Sequence, residues 1–352
     1  MQNKNMSNDL KIFIDSIYKY KSISIIGLDK NTGKTTTLNF LIHRLKNKKI
    51  GITSIGRDGE REDIVTRTHK PRIYIHENTL VATARLSFLN SDAVFEILDV
   101  LDINTPLGNI VIARSVYPGF VEIAGVSTKN QTKYVIDSLN KLGCEIIIVD
   151  GALGRKTFAD PEVTEAAVLC TGAAFSEDME FLVEETLNTL NLFSIDRVEY
   201  NTAKLYEKNM QDCKVAYVYA DNSLKKSSLK TSIDASKEII SNFSDNLKFI
   251  FVKGILTNNF IQDMINSGLN LSSITFVIED STKLFVDKSN YDAFIYKGGT
   301  IQVKNSINVI GISVNPISPE GNVLNYNKIF EKFKMKSDIP VFNVMDYKSG
   351  CD

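Results

Sequence analysis

Residues 24–42 read SIIGLDKNTGKTTTLNFLI, and the fold turns on how this stretch is read. An apolar run ends at Gly27 and a polar turn follows. Gly33-Lys34-Thr35 then open a segment where Leu38, Leu41, Ile42 and Leu45 recur at helical spacing. Strand, turn and helix in that order bring free backbone N–H groups and the positive end of the helix to the turn. This matches the second half of a phosphate-binding loop, whose full form is G-x-x-x-x-G-K-[ST]. The position of the first glycine holds Leu28, and the nearest glycine, Gly27, comes one residue early. That shift alters the entry turn and spares the groups that would face a phosphate. Lys34 is placed to reach the β- and γ-phosphates, Thr35 to coordinate Mg²⁺, and Gly33 to let the backbone close on the ligand. Gly27, Asn31, Thr32 and Thr36 complete the candidate nucleotide-binding set.

The flanking sequence supplies the expected context. KIGITSIG reads as a second strand, so the start of the chain predicts a βαβ unit and a parallel sheet. CEIIIVDGALGRKTF is an apolar strand ending in Asp150-Gly151. A carboxylate at such a strand end, beside a phosphate loop, holds Mg²⁺ directly or through water. Asp150 is therefore a candidate metal ligand, although Asp-Gly also simply turns well. SIGRDGERED follows the second strand and packs Arg57, Asp58, Glu60, Arg61, Glu62 and Asp63 into seven positions. Asp58 is a second candidate for Mg²⁺ or for orienting a water. Arg57 and Arg61 are candidates to neutralise phosphate charge, against the plainer reading of a solvated charged loop. Lys34, Asp58 and Asp150 form the candidate catalytic group. Two weaker features are Arg155 and Lys156 in a switch-like loop, and Asn315 in GISVNPISPEGN as a purine contact.

Composition narrows the classes. Among 352 residues, 41 Lys and Arg balance 42 Asp and Glu, which gives no bulk electrostatic case for nucleic acid or an anionic membrane. The N-terminal segment lacks the apolar run of a signal peptide, and no run of about 18 apolar residues occurs. A cytoplasmic protein is expected. Cys144, Cys170, Cys213 and Cys351 show no C-x-x-C spacing, and His43, His69 and His76 no metal-ligand spacing.

Residues 71–126 break the alternation. FEILDV, GNIVIARSV and FVEIAGV are strand candidates between turn residues Pro106, Gly108, Pro118 and Gly119, which predicts a β-rich insertion. A helix is expected over about 130–142 and another after Ser176, with EAAVLCTG as a buried strand. The polar stretch YNTAKLYEKNMQDCK suggests a boundary within 195–212. The expected organisation is a nucleotide-binding domain over 1–195 and an α/β half over 196–352, which is either its own domain or a sheet extension. The expected fold class is α/β, P-loop NTPase-like: a mostly parallel sheet flanked by helices, with the β-rich insertion.

Four segments, SISIIGLDKNTGKTTTLNFLI, GITSIGRDGEREDIVT, IVIARSVYPGFVEIAG and VDGALGRKTFADPEVTEAAVLCTGA, together resemble the P-loop subunit of the lysine 5,6-aminomutase reactivase. The resemblance runs across residues 20–195 and more loosely to the C-terminus. It implies ATP and Mg²⁺ as cofactors, with lysine 5,6-aminomutase and a second, MutS-like ATPase subunit as partners. It further implies a role in exchanging damaged cobalamin for fresh cofactor. More distantly the loop resembles the class that includes dethiobiotin synthetase and the molybdopterin-guanine dinucleotide chaperones. It departs from that class's signature lysine, carrying Asp29 two residues after the strand glycine and Lys30 one further. Two alternatives remain beside the reactivating chaperone: a small-molecule ATP-dependent ligase or kinase, and a non-hydrolysing nucleotide-binding subunit.

Overall fold

The computed structural model describes residues 2–55, 72–151, 161–233 and 235–346, and they divide into two compact units. The first comprises residues 1–187 and 308–352, the second residues 188–307.

In chain order the first unit holds α1 (Gln2–Ile17), β1 (Ser22–Gly27), α2 (Lys34–Arg44), β2 (Ile50–Ser54), β3 (Ile73–Ile75) and β4 (Leu80–Ala84). Next come α3 (Arg85–Leu89), β5 (Val94–Thr105), β6 (Gly108–Tyr117), β7 (Gly119–Val121), α4 (Lys129–Lys141), β8 (Ile146–Asp150) and β9 (Ala166–Gly172). Helix α5 (Met179–Phe193) leads out to the second unit. That unit holds α6 (Tyr200–Asn209), β10 (Val215–Tyr219), β11 (Leu224–Lys226), α7 (Ala235–Ser241), β12 (Leu247–Val252) and β13 (Leu256–Thr257). It continues with α8 (Asn258–Asn266), β14 (Thr275–Ile278), β15 (Leu284–Phe285), α9 (Lys288–Tyr296) and β16 (Thr300–Val303). The chain then returns to the first unit with β17 (Val309–Asn315), α10 (Tyr326–Lys334) and β18 (Val341–Asn343).

The first unit is built on a nine-stranded sheet of order β18-β17-β9-β1-β8-β2-β4-β6-β5. From β18 to β4 the neighbours run parallel, and β6 and β5 are added antiparallel. The central strands are covered on both faces and buried almost throughout; β8 reads as an apolar run, while β1 and β2 carry small hydroxyl residues, Ser22, Ser24, Thr53 and Ser54, that are buried as well. Along β8 the alternation separates two cores. Ile146 and Ile148 pack with Phe13, Leu38, Phe40 and Leu41 from α1 and α2, while Ile147 and Val149 pack with Val135, Ile136 and Leu139 from α4. Phe342 of β18 stacks on Phe13 at 4.3 Å between ring centroids and on Phe40 at 5.4 Å. Gly311 makes that packing feasible, since a Cβ there would come 2.5 Å from the Phe13 ring. Each fully buried ring of this kind stabilises by roughly 1.5–3 kcal/mol.

The second unit is a five-stranded sheet, order β11-β10-β12-β14-β16, in which β12, β14 and β16 are parallel. Its core gathers Tyr217, Ile250, Phe260, Phe276 and Phe294. The partition differs from one break near residue 195. The polar stretch at that point is α6, whose Ala203 and Tyr206 are buried within an otherwise polar helix. The C-terminal half supplies both a separate sheet and, through β17 and β18, an extension of the first one. No helix of the described residues is long and apolar enough to cross a membrane.

Candidate functional site

Strand β1 lies between β8 and β9, with Ile25 in register with Asp150 and Gly27 with Cys170. The chain leaves β1 for β2 on one side, returns through β8 and crosses to β9 on the other. Ligands of open α/β sheets bind at the carboxyl ends of strands where the order reverses in this way. The β1–α2 turn, the end of β8 and the end of β17 all open on that edge.

Within the turn the backbone is held tightly. Leu28 N–H donates to the Cys170 carbonyl at 3.0 Å and so extends the β1–β9 ladder one residue past Gly27. Asn31 and Gly33 take left-handed conformations, φ 57° and 91°. Left-handed turns of this kind form the backbone concavities that accept anions. Gly33 caps α2 without a side-chain hydrogen bond, so the first-turn N–H groups face the turn unclaimed by a cap. Buried Thr32 donates its hydroxyl to the Asp29 carbonyl at 2.9 Å, and the Lys34 ammonium donates to the same carbonyl at 2.9 Å. Lys34 is only 8% exposed. Thr35 and Thr36, in the first turn of α2, are half-buried.

Gly27 has a spatial role that its shifted position in the motif conceals. A Cβ there would come 2.5 Å from Thr32 Oγ1 and 2.8 Å from Lys34 Nζ. The missing side chain therefore makes the room in which Lys34 folds back over the turn. Gly33 is constrained from the other side, because a Cβ on it would lie 2.8 Å from Asn315 Cβ. The structure thus sets Asn315, at the end of β17, against the glycine that opens α2. Asn315 Oδ1 accepts the Ile317 N–H at 3.3 Å, and its carbonyl accepts the Ala173 N–H at 2.9 Å.

A buried polar cluster underlies the turn. Thr37 Oγ1 donates to the Gly33 carbonyl at 2.9 Å, lies 2.6 Å from Ser313 Oγ and accepts from Cys170 Sγ at 3.4 Å. All three side chains have 0% exposure. Burial pushes the Cys170 thiol up to about 11; its Thr37 hydrogen bond and the Lys34 charge pull it down, and the Asp150 charge pushes it up. Both Lys34 and Asp150 are therefore felt electrostatically at the floor of the turn. Asp150 ends β8 half-buried, with Oδ1 buried. Its neighbour Gly151 donates to the Ile25 carbonyl at 3.0 Å, which ties the end of β8 to β1.

Gly27, Asn31, Thr32, Gly33, Lys34, Thr35 and Thr36 thus share one turn and the start of one helix, and Asp150 stands on the adjoining strand. Arg57, Asp58, Arg61, Arg155 and Lys156 lie outside the described residues. Ile55, the last described residue before Asp58, donates its N–H to the Asp150 carbonyl at 2.9 Å. Thr37, Ser313 and Cys170 belong to the site's foundation and carry no motif; their one signal in sequence is a row of threonines after Lys34. Among the described residues no group of three or more His, Cys, Asp and Glu side chains is arranged to hold a metal. A site built from Thr35 and Asp150 would leave most of the metal's positions to phosphate oxygens and water, as Mg²⁺ prefers.

Comparison with known proteins finds no matching family model, no matching curated protein and no matching solved structure.

Proposed function

We propose that this chain binds a magnesium–nucleoside triphosphate at the β1–α2 turn in a P-loop NTPase-like fold. The observation that carries the proposal is the Lys34 ammonium folded over Gly27 at an uncapped helix N-terminus, on the strand next to the one that ends in Asp150. The donor set fits a polyphosphate: first-turn N–H groups, one ammonium, the Thr35 hydroxyl and a carboxylate suited to a hard cation. When bound, Mg²⁺ would offset phosphate charge. Lys34 would exchange the Asp29 carbonyl for phosphate oxygens, Thr35 and Asp150 would hold the metal, and Gly27 and Gly33 would keep the backbone close. Asn315 stands beside the turn as a candidate contact for the base.

We further propose that the nucleotide serves an ATP-dependent reactivating factor for adenosylcobalamin-dependent lysine 5,6-aminomutase, acting with a MutS-like ATPase subunit. This step rests on the four resembling segments, two of which include positions outside the described residues. The test mixes turnover-inactivated mutase with this protein, the partner subunit, Mg-ATP and fresh adenosylcobalamin, with Lys34→Ala in parallel. Recovered mutase activity that requires intact Lys34 is the expected result. Absence of recovery with competent partner and cofactor would overturn the reactivase role. If nucleotide binding persisted, the search would then move to metabolite ligases and kinases.

A further inference from the structure

The two edges of the nine-stranded sheet are finished differently. At one end β18 is three residues long and α1 closes over it, with Asp9 Oδ2 accepting the Val341 N–H at 3.0 Å. At the other end β5 is twelve residues long and pairs on one side only, with β6, among the described strands. An edge strand presents alternate N–H and C=O groups outward, ready to pair with another chain. Short length, lysines and covering helices are the usual defences. Strand β5 has neither short length nor lysine; its defences are three acids and the register shifts along it.

Its side chains make the edge adhesive. Val94, Ile97 and Val100 are 53–55% exposed, and Tyr117, opposite Val94 on β6, is 65% exposed. Leu86 and Leu89 of α3 are also more than half exposed. Between these apolar residues stand Glu96, Asp99 and Asp102, and β5 contains no Lys or Arg. Glu96 already pairs with Arg114 of β6. Val100 N–H donates to the Asp99 carboxylate at 2.8 Å, an exposed contact.

We propose that the β5 edge is a docking strand for an extended segment of another protein in which apolar residues alternate with Lys or Arg. Charge decides the occupant. A twofold pairing of two β5 edges, an isologous contact, would bring six acids together with no Lys or Arg on either strand to balance them, and in the register centred on Asp99 it would set Glu96 directly opposite Asp102, where like charges destabilise a sheet. A basic, apolar strand satisfies the outward backbone, covers the valines and isoleucine, and neutralises the acids. The register shifts between Val94 and Phe95, Ile97 and Asp99, and Leu101 and Asn104 bend the edge, so the occupant must be short or bent to follow it. The proposal is independent of the nucleotide site.

The test uses the full chain and two labelled peptides, one alternating Val with Lys and one alternating Val with Glu, followed by fluorescence anisotropy and hydrogen exchange. The Lys peptide is expected to bind saturably and to slow exchange of the β5 amides, and the Glu peptide is not. Ile97→Lys with Val100→Lys, and separately Asp99→Lys with Asp102→Lys, should each weaken binding about tenfold or more with unchanged melting. The acid reversal should in turn admit the Glu peptide. Absence of saturable binding, or binding that leaves β5 exchange unchanged, would overturn the proposal. So would a wild-type dimer in sedimentation that Ile97→Lys converts to monomer, because the edge would then belong to a second copy.

Discussion

Lys34 Nζ occupies the space that a side chain on residue 27 would need: a Cβ on Gly27 would stand 2.8 Å from it. The glycine that sits one place early in the motif is thus the one over which the lysine folds. Gly27→Ala should push Lys34 and Thr32 out of place, because the Thr32 hydroxyl is closer still, at 2.5 Å. Calorimetric titration should show Mg-ATP affinity reduced about tenfold or more while the fold persists. Gly33→Ala should be worse, since it adds a left-handed backbone penalty of about 1–2 kcal/mol to a 2.8 Å contact with Asn315.

Thr37 joins three elements beneath the turn. Thr37→Val keeps the shape and removes the hydroxyl, leaving the Gly33 carbonyl without that donor and disrupting the contacts with Ser313 and Cys170. A loss of about 1–3 kcal/mol in urea unfolding is expected. Adding Ser313→Ala should cost less than the sum of the single changes, because the two residues share one bond.

Asp9 secures the far edge of the sheet. It accepts the Val341 N–H at 3.0 Å and lies 3.3 Å from Lys334 Nζ, while being only 6% exposed. Asp9→Ala should destabilise the first unit by about 1–3 kcal/mol, and Asp9→Asn should recover part of that by restoring an acceptor. Chemical denaturation of the three proteins checks the order.

His43, near the end of α2, and His76, after β3, face each other with ring centroids 5.9 Å apart. Burial lowers His76 below the ordinary 6.5, helped by His43 and Lys46; burial also lowers His43, helped by Lys46 and Arg44. The folded state therefore favours the neutral rings. Their stabilising contribution is complete above about pH 6.5 and is lost as the pH falls through the lowered values. The urea midpoint should drop between pH 7 and 5, and His76→Gln should flatten that slope.

The strands around the turn were readable because each is a contiguous run. EIIIVD is apolar without alternation, as a strand covered on both faces tends to be, and SISIIG departs from that only by two small serines, both buried. The turn was readable for the same reason, since Gly27, Gly33 and Lys34 lie within eight positions. What joins it to the rest of the sheet was not. Thr37 and Ser313 meet across 276 positions, and nothing local marks either as a partner. Asn315 stood out in sequence only as a strand-end asparagine, and its place against Gly33 depends on β17 returning to pair with β9. That return, after a whole second sheet, is a long-range pairing that periodicity does not encode. Helix α6 read as a break because its apolar stripe is narrow and its surface polar.

If Lys34 and the turn around it hold the phosphates of a magnesium-bound nucleotide, isothermal titration of Mg-ATP into the wild-type chain and into Lys34→Ala will show it, with circular dichroism to confirm the fold. Saturable one-site binding to the wild type is expected, with a loss of about a hundredfold or more in the variant, equivalent to about 3 kcal/mol. Equal affinity in the two proteins, or no binding to the folded wild type, would contradict it.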